Sequence, residues 1–444
     1  MKSMKISKSN GSIVIILLIM IIVSSNLNWN KKYWRGIIEV DGKGYYAYLP
    51  AIFIYNDLNF GFFDEIEKEK YYDKFLYYDY RSMANGKIIN KCYCGTAIAE
   101  MPFFFIAHLV SYLYHYDLDG YSNPYPVLIS IAALFYLLIG LLFLNAILSQ
   151  YKIHEWQKSL ILFTAVFGTN LFYYTIGEPA MSHVYSFAFI SMFIYYSKLY
   201  FTSFKKKHIT LLAILLGIII LIRPVNGMIV LIWPFAAGNF TSLIKGITTA
   251  FRNKLRLILS FIVFLGIIFI QFTIYKISTG KFFVYAYGGE GFNFLSPHII
   301  DILFSYRKGL FLYTPIFLLS MTGGYYLWKT SKFEFFSWFG FFILITYVLS
   351  SWWLWYYGGS FSSRVYIEFI PLFMILLAIA LKNISQKSLK IIFTSLIFLI
   401  VIVCQIQTYQ YRYYYIHWSE MNKEKYWDVF LRIDKLINHS ENKS

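Results

Sequence analysis

The chain has 444 residues, of which 58% are hydrophobic, 22% aromatic and 14% charged, with a mean hydropathy of +0.53. A water-soluble domain of this length carries a larger charged share, so the composition sets the soluble classes aside. The formal charge of +17 raises nucleic acid as a partner, but the basic residues alternate with apolar runs instead of gathering in one patch, which argues against it.

Apolar runs near the ~20 residues needed to cross a bilayer recur from end to end, and in lipid an open helix must satisfy its own backbone. The expectation is an all-α polytopic membrane protein with about eleven crossings, at residues 11–27, 126–148, 158–176, 181–201, 209–223, 226–238, 257–275, 310–328, 333–350, 365–381 and 390–409. Residues 1–410 form one transmembrane domain. The tail, 411–444, has mixed charges interspersed with Trp418, Trp427 and Phe430 and is expected to be a surface amphipathic helix.

Charge placement sets the orientation. One set of alternating segments, beginning with Lys2, Lys5 and Lys8, holds 18 Lys/Arg against only Glu155 and Glu334, while the other holds 22 Lys/Arg against 21 acids. By the positive-inside rule the N-terminus is inside and the C-terminus outside. Residues 97–114 also have the hydropathy of a span, but a crossing there would turn every later basic loop outward. They are therefore read as an interfacial or re-entrant helix, which makes 28–125 one long external loop, and long loops usually have a job. Residues 11–25 are read as an anchor; a cleaved signal peptide, with Val23 and Ser25 near the cut, is the alternative.

Cys92 and Cys94 are too close for an ordinary disulfide, and Cys404 falls in the last span, so no disulfide framework or metal spacing is visible. No Walker A motif, GxGxxG or internal repeat is present, which leaves nucleotide-driven pumping without support.

The residues that can carry chemistry follow in chain order. Asp41 opens DGKGYYAYLP, where Gly42 and Gly44 permit a tight turn before Tyr45, Tyr46 and Tyr48 on a short helix ending near Pro50. A carboxylate at a wet membrane edge can accept the proton of an attacking hydroxyl; Glu39 can do the same, and a solvated loop acid is the bland alternative. Glu178 opens GEPAMSHV, with His183 close behind, a pair suited to a metal, an acceptor or a phosphate, or to a plain interfacial contact. Arg223 lies in IRPVNG between two short apolar segments, where a Pro-broken helix can leave a guanidinium near an anionic ligand. Arg307 and Lys308 stand just before a span and can clamp a phosphate or anchor the interface. Arg364 and Glu368 are four apart and can pair, beside Trp352, Trp353, Trp355, Tyr356 and Tyr357, which suit an interfacial belt or a sugar and lipid groove.

These markers together resemble the GT-C superfamily of integral-membrane glycosyltransferases, particularly bacterial relatives of the protein O-mannosyltransferases and the lipid A aminoarabinose transferases. The likeness covers most of residues 10–410 and rests on the order and sidedness of the blocks YCGTAIAEMPFFFIAH, DGYSNPY, RKGLFLYTP and GGSFSSRVY. It implies a catalytic Asp after the first span, matching Asp41; a second acidic site between the third and fourth spans, matching Glu178; and a Pro-bearing interfacial helix, similar to residues 101–109. It also implies inverting transfer from a polyprenyl-phosphate sugar donor to a lipid, glycan or protein hydroxyl at the outer face of a bacterial inner membrane, among membrane lipids and without nucleic acid. Asp41 would be the base, with Glu178, His183, Arg223, Arg307, Lys308 and Arg364 binding acceptor or phosphate. The chain departs from the family where Gly42 replaces the second acid of the usual DE pair and where Pro179 and Ala180 follow Glu178 in place of a DxD or ExD. A divalent metal is thereby left in doubt, and no cofactor is assigned. Two rivals are a transporter or flippase for a lipid-linked glycan, which should show a repeated half with matched broken helices, and an O-antigen ligase or polymerase, which should carry its large loop late.

Overall fold

The computed structural model describes residues 7–30, 32–71 and 78–434. Lys2 and Lys5 of the charge count, residues 72–77 of the first loop and residues 435–444 of the tail lie outside them.

The described chain is helical nearly throughout, as the apolar runs require. Strand pairing is confined to one antiparallel hairpin, Arg81–Ala84 against Lys87–Asn90, and an isolated bridge between Phe292 and Trp352. Seven helical stretches are long and apolar enough to cross a bilayer: Lys8–Trp29, Gly95–Leu113, Pro124–Gln150, Lys254–Thr279, Lys332–Ser350, Arg364–Asn383 and Lys387–Arg412. Polytopic all-α architecture is thus present. Gly95–Leu113 is one continuous helix with Pro102 inside it, exposing Phe105, Ile106, Leu109 and Leu113, and by length and composition it qualifies as a span.

Several expected crossings are broken, each by identifiable chemistry. The run 158–176 divides into Glu155–Phe167 and Leu171–Ile176. Between them the Thr169 hydroxyl donates to the Ala165 carbonyl and accepts from Leu171 N–H, offering the backbone a substitute for helical bonds. The run 310–328 divides into Leu310–Tyr313, Ile316–Ser320 and Thr322–Thr330. Pro315 has no N–H to donate and disfavours helical geometry at Thr314, which adopts φ −134°, ψ 64°. The break expected at Pro224 is present: Lys207–Ile222 ends, Arg223 is extended at φ −150°, ψ 115°, and the chain resumes as a 3-10 helix, Pro224–Ile232, and a short α-helix, Trp233–Ala237. Arg364–Phe369 is likewise 3-10 before the α-helix Ile370–Asn383, whose first turn accommodates Pro371.

The chain forms two compact units. One takes in the chain up to Ile16, then Leu144–Tyr173 and everything from Gly291 onward. Its core is the helix Ile370–Asn383, buried from Ile370 to Leu381: the Phe373 ring lies tilted against that of Phe317 at 4.4 Å, Leu372 accepts from the Trp338 indole and Leu381 from Gln157. In the same unit the chain beyond Arg412 folds back, burying Ile416, Met421 and Tyr426 against Tyr313, Phe361 and Tyr411 before and within the short helix Lys423–Val429. The other unit comprises Leu17–Phe143 and Tyr174–Glu290. There the Lys207–Ile222 helix packs against Ser182–Ser203 and Lys254–Thr279, and the aromatic core of the first loop gathers around Tyr46, Tyr48, Phe60, Phe63, Tyr80 and Phe104.

In each unit, one glycine permits a backbone approach that a methyl group would block. A Cβ at Gly95 would lie 2.3 Å from the Ile222 nitrogen, and one at Gly323 would lie 2.1 Å from the Leu376 carbonyl oxygen. Backbone cannot swing aside as a side chain can. Gly95→Ala and Gly323→Ala should therefore each cost about 1–3 kcal/mol or more, read as a lower midpoint in thermal unfolding of the purified protein in detergent. Unchanged midpoints would contradict this packing.

Candidate functional site

Asp41 is the first residue of the helix Asp41–Tyr46, and the chain enters that helix through Val40 at φ 49°, ψ −132°. This is glycine territory, and a β-branched residue there stores about 1–3 kcal/mol of strain. The twist gives the carboxylates of Glu39 and Asp41, two residues apart, different neighbours. The expected tight turn at Gly42 and Gly44 is instead helical, with neither glycine at positive φ. Their role is close approach: a Cβ at Gly42 would meet Ala180 Cβ at 2.9 Å, and one at Gly44 would meet Cys92 Sγ at 2.6 Å and Tyr80 Cβ at 2.9 Å. Helix Asp41–Tyr46 also does not run on to Pro50; a second helix, Tyr48–Phe53, begins after Ala47 and holds Pro50 in its first turn.

One tyrosine is bonded to Asp41 and two more feel its charge. The Tyr78 hydroxyl is bonded to the Asp41 carboxylate; burial and then the charge of Asp41 hold that phenol well above its ordinary pKa. Tyr45, one turn along the helix, bonds to the Ser182 hydroxyl, and its pKa is raised by burial and lowered in part by the positive charge of Arg223. Tyr287 feels the same two charges, Arg223 and Asp41, after the larger effect of its own burial. Cys92 adds a thiol 3.8 Å from the Asp41 carbonyl oxygen. Asp41, Tyr45, Tyr78, Tyr287 and Arg223 are all partly accessible, so the cluster is open to a ligand.

The turn holding Glu178 abuts this helix through Ala180 and Gly42. Met181 N–H bonds back to the Glu178 carbonyl, and Ser182 starts the helix that carries His183. His183 is buried, packed edge-on against Tyr174, and its Nδ1 lies 3.4 Å from Arg223 Nη1. A guanidinium only donates, so Nδ1 must accept and the ring is neutral with its proton on Nε2. With Nδ1 facing the guanidinium, only Nε2 of His183 is left to meet another ligand. Among the described residues no group of three or more His, Cys, Asp or Glu is arranged to hold an ion. The extended backbone at Arg223 sets its guanidinium beside His183, and Asn226 just beyond donates to Ser186.

Glu39 belongs to a neighbouring cluster. It pairs with the buried Lys43 at 3.6 Å, beside a small cavity lined also by Trp34, Arg35, Glu67, Tyr71 and Tyr121. Burial lowers the Lys43 ammonium from its usual value, against the raising effect of Glu39 and Glu67. Glu67 was not singled out in the sequence, where DEIEKEK reads as a solvated charge run; yet it is buried and accepts from both Tyr80 and Tyr121, at 2.6 and 2.7 Å. Nor was Glu100, fully buried in Gly95–Leu113. A helical wheel seeded on the small residues Gly95, Ala99 and Ala107 flags the buried face of that helix, though not the depth of Glu100.

The remaining candidates lie in the other unit. The Arg307 guanidinium covers the Tyr356 ring at 3.5 Å and donates through Nε to the Ser419 carbonyl. Lys308 is buried, with its ammonium bonded to the Ser360 carbonyl and lying over the Tyr411 ring. Arg364 opens the 3-10 helix that buries Glu368. The structure thus assembles Asp41, the Glu178 turn, His183 and Arg223 within one unit and Arg307, Lys308 and Arg364 within the other. No family model matches this chain, and no curated protein is significantly similar to it.

Burial raises the Glu67 carboxyl from 4.5 to about 7, outweighing the lowering by the two tyrosine bonds and the nearby cations. A raised acid favours the native state while protonated. Its stabilising effect is full below about pH 4.5 and is lost as pH rises through 7, on the order of 3 kcal/mol in all. Unfolding midpoints from pH 4.5 to 8 should fall more steeply in the wild type than in Glu67→Gln; parallel curves would refute the assignment.

Proposed function

We propose that this protein is an inverting membrane glycosyltransferase that moves a sugar from a polyprenyl-phosphate carrier to a hydroxyl acceptor at the external face of a bacterial inner membrane. The observation that carries the reading is the Asp41 cluster: an accessible carboxylate at a strained helix start, bonded to one tyrosine, acting by its charge on two more and sharing its surroundings with a guanidinium and a neutral imidazole. A base, a cation and hydroxyl groups gathered at one accessible place suit transfer between a hydroxyl and a phosphate-activated sugar.

Asp41 accepts the proton of the acceptor hydroxyl as its oxygen forms a bond to the anomeric carbon. The bond from that carbon to the phosphate oxygen breaks on the opposite face, and the electron pair departs with polyprenyl phosphate. A phosphate leaves without protonation, so catalysis rests on positioning and on cationic neutralisation of the departing group. Arg223, whose charge acts on Tyr45 and Tyr287 as that of Asp41 does, is the cation for that task; Glu178 and His183 orient the acceptor. The phosphate roles of Arg307, Lys308 and Arg364, and the place of the carrier near Trp352, Trp353 and Trp355, rest on sequence position and on the GT-C resemblance. The same reading keeps about eleven crossings, the N-terminus inside, the C-terminus outside and Gly95–Leu113 at the interface, because only then do the basic loops share the inner face.

Asp41→Asn preserves shape and hydrogen bonding but cannot take a proton. Transfer by purified protein, followed with radiolabelled carrier-linked sugar and total membrane acceptors, should fall by about 10²–10⁴-fold, with carrier binding retained. Glu39→Gln, whose parent carboxylate is paired to Lys43, should keep most activity. The reverse pattern would move the base to Glu39, and full activity in both variants would remove the proposed chemistry.

A further inference from the structure

Glu100 lies in the helix Gly95–Leu113 with 0% of its surface exposed. Its Oε1 is 2.9 Å from the Tyr185 hydroxyl, and its Oε2 has no hydrogen-bond partner among the described residues. The same Tyr185 hydroxyl is 3.2 Å from the Pro179 carbonyl oxygen. A phenol has one proton. If Glu100 were ionised, two oxygens that can only accept would compete for it, and a fully buried carboxylate would be left with at most one hydrogen bond. The titratable groups that face Glu100 from neighbouring elements are Tyr46, Tyr136 and Tyr185, none of them cationic at neutral pH. Among the described residues no cation acts on Glu100 to compensate a negative charge.

We infer that Glu100 is a neutral carboxylic acid in the folded protein, donating to the Tyr185 oxygen so that Tyr185 can donate to the Pro179 carbonyl. The chain of bonds ties the second turn of the helix Gly95–Leu113 to the turn that carries Glu178 and that rests, through Ala180, on Gly42 beside Asp41. Glu100 is thereby a positioning residue: its proton fixes the turn against which the candidate base is set. Protonation itself follows from the bonding pattern alone, whereas a consequence for turnover rests on the sugar-transfer reading.

The test uses the full chain in lipid nanodiscs. Infrared difference spectra of wild type minus Glu100→Gln at neutral pH should show the carbonyl band of a protonated carboxylic acid, shifting in heavy water. Tyr185→Phe, which keeps the acid but removes its acceptor, should move that band to higher frequency. A glutamine amide can also donate to Tyr185, so Glu100→Gln should unfold within about 2 °C of wild type while Glu100→Ala and Tyr185→Phe unfold earlier. Absence of the band, or a Glu100→Gln variant that fails to fold or is as unstable as Glu100→Ala, would overturn the inference. If the band is present but Asp41→Asn leaves sugar transfer intact, the protonated acid stands and the catalytic reading falls.

Discussion

The close approach of the helix Asp41–Tyr46 to the turn at Pro179–Ala180 is the constraint on which the candidate site depends. It exists because position 42 has no side chain: a Cβ would lie 2.9 Å from that of Ala180. From this one contact the rest follows in order. Tyr45 comes within reach of Ser182, His183 enters its helix pointing toward Arg223, and Asp41, thrown forward by the strained backbone at Val40, joins Tyr78 and Tyr287. Gly44 repeats the device against Cys92 and Tyr80, which binds the loop behind the site. The glycines serve proximity, and the strain at Val40 is offset by the packing that proximity allows.

Lipid cannot hydrogen-bond a backbone, so every interruption of a helix must be satisfied by protein. The interruptions in this chain are accordingly furnished with polar side chains: Thr169 and Asn170 at one, Arg223 and Asn226 at another, Thr314 bonded to Ser362 at a third. A break of this kind is costly to build and directs side chains that a regular helix would turn elsewhere. Arg223 shows the effect most clearly. An extended residue between two helical segments, it meets His183 where a helical residue at the same position would follow the curve of Lys207–Ile222.

Much of this was legible in the residues. Long apolar runs with no proline beyond the first helical turn and no clustered small polar residues, such as 126–148, 257–275 and 390–409, became helices within a few residues of the expected ends. The break at Pro224 was also readable, since proline disfavours helix in the residue before it. The breaks at 168–170 and 314–315 were not, because hydropathy averages over a Thr, an Asn or a single Pro that local hydrogen bonding uses to stop a helix. Asp41, Glu178, His183 and Arg223 could be picked out by residue type beside glycine and proline; that they converge could not, since it depends on tertiary contact. Glu67 and Glu100 escaped for the opposite reason. One sits in a run that reads as solvated charge and the other in an apolar helix, and only the fold shows both to be buried against tyrosine hydroxyls.

The proposal requires the Asp41 cluster to lie on the membrane face opposite the basic loops, and sidedness can be measured without knowing sugar or acceptor. The native cysteines Cys92, Cys94 and Cys404 are buried, so single introduced thiols can be read against a low background. Asn85→Cys, at the exposed tip of the first-loop hairpin, and Lys206→Cys, in the basic segment after Ser182–Ser203, would be treated with a membrane-impermeant maleimide in intact cells. Labelling at position 85 without permeabilisation, and at position 206 only after it, is the predicted result. The reverse pattern would place the acid that the whole account turns on in the cytosol, where a lipid-linked donor displayed outside could not reach it.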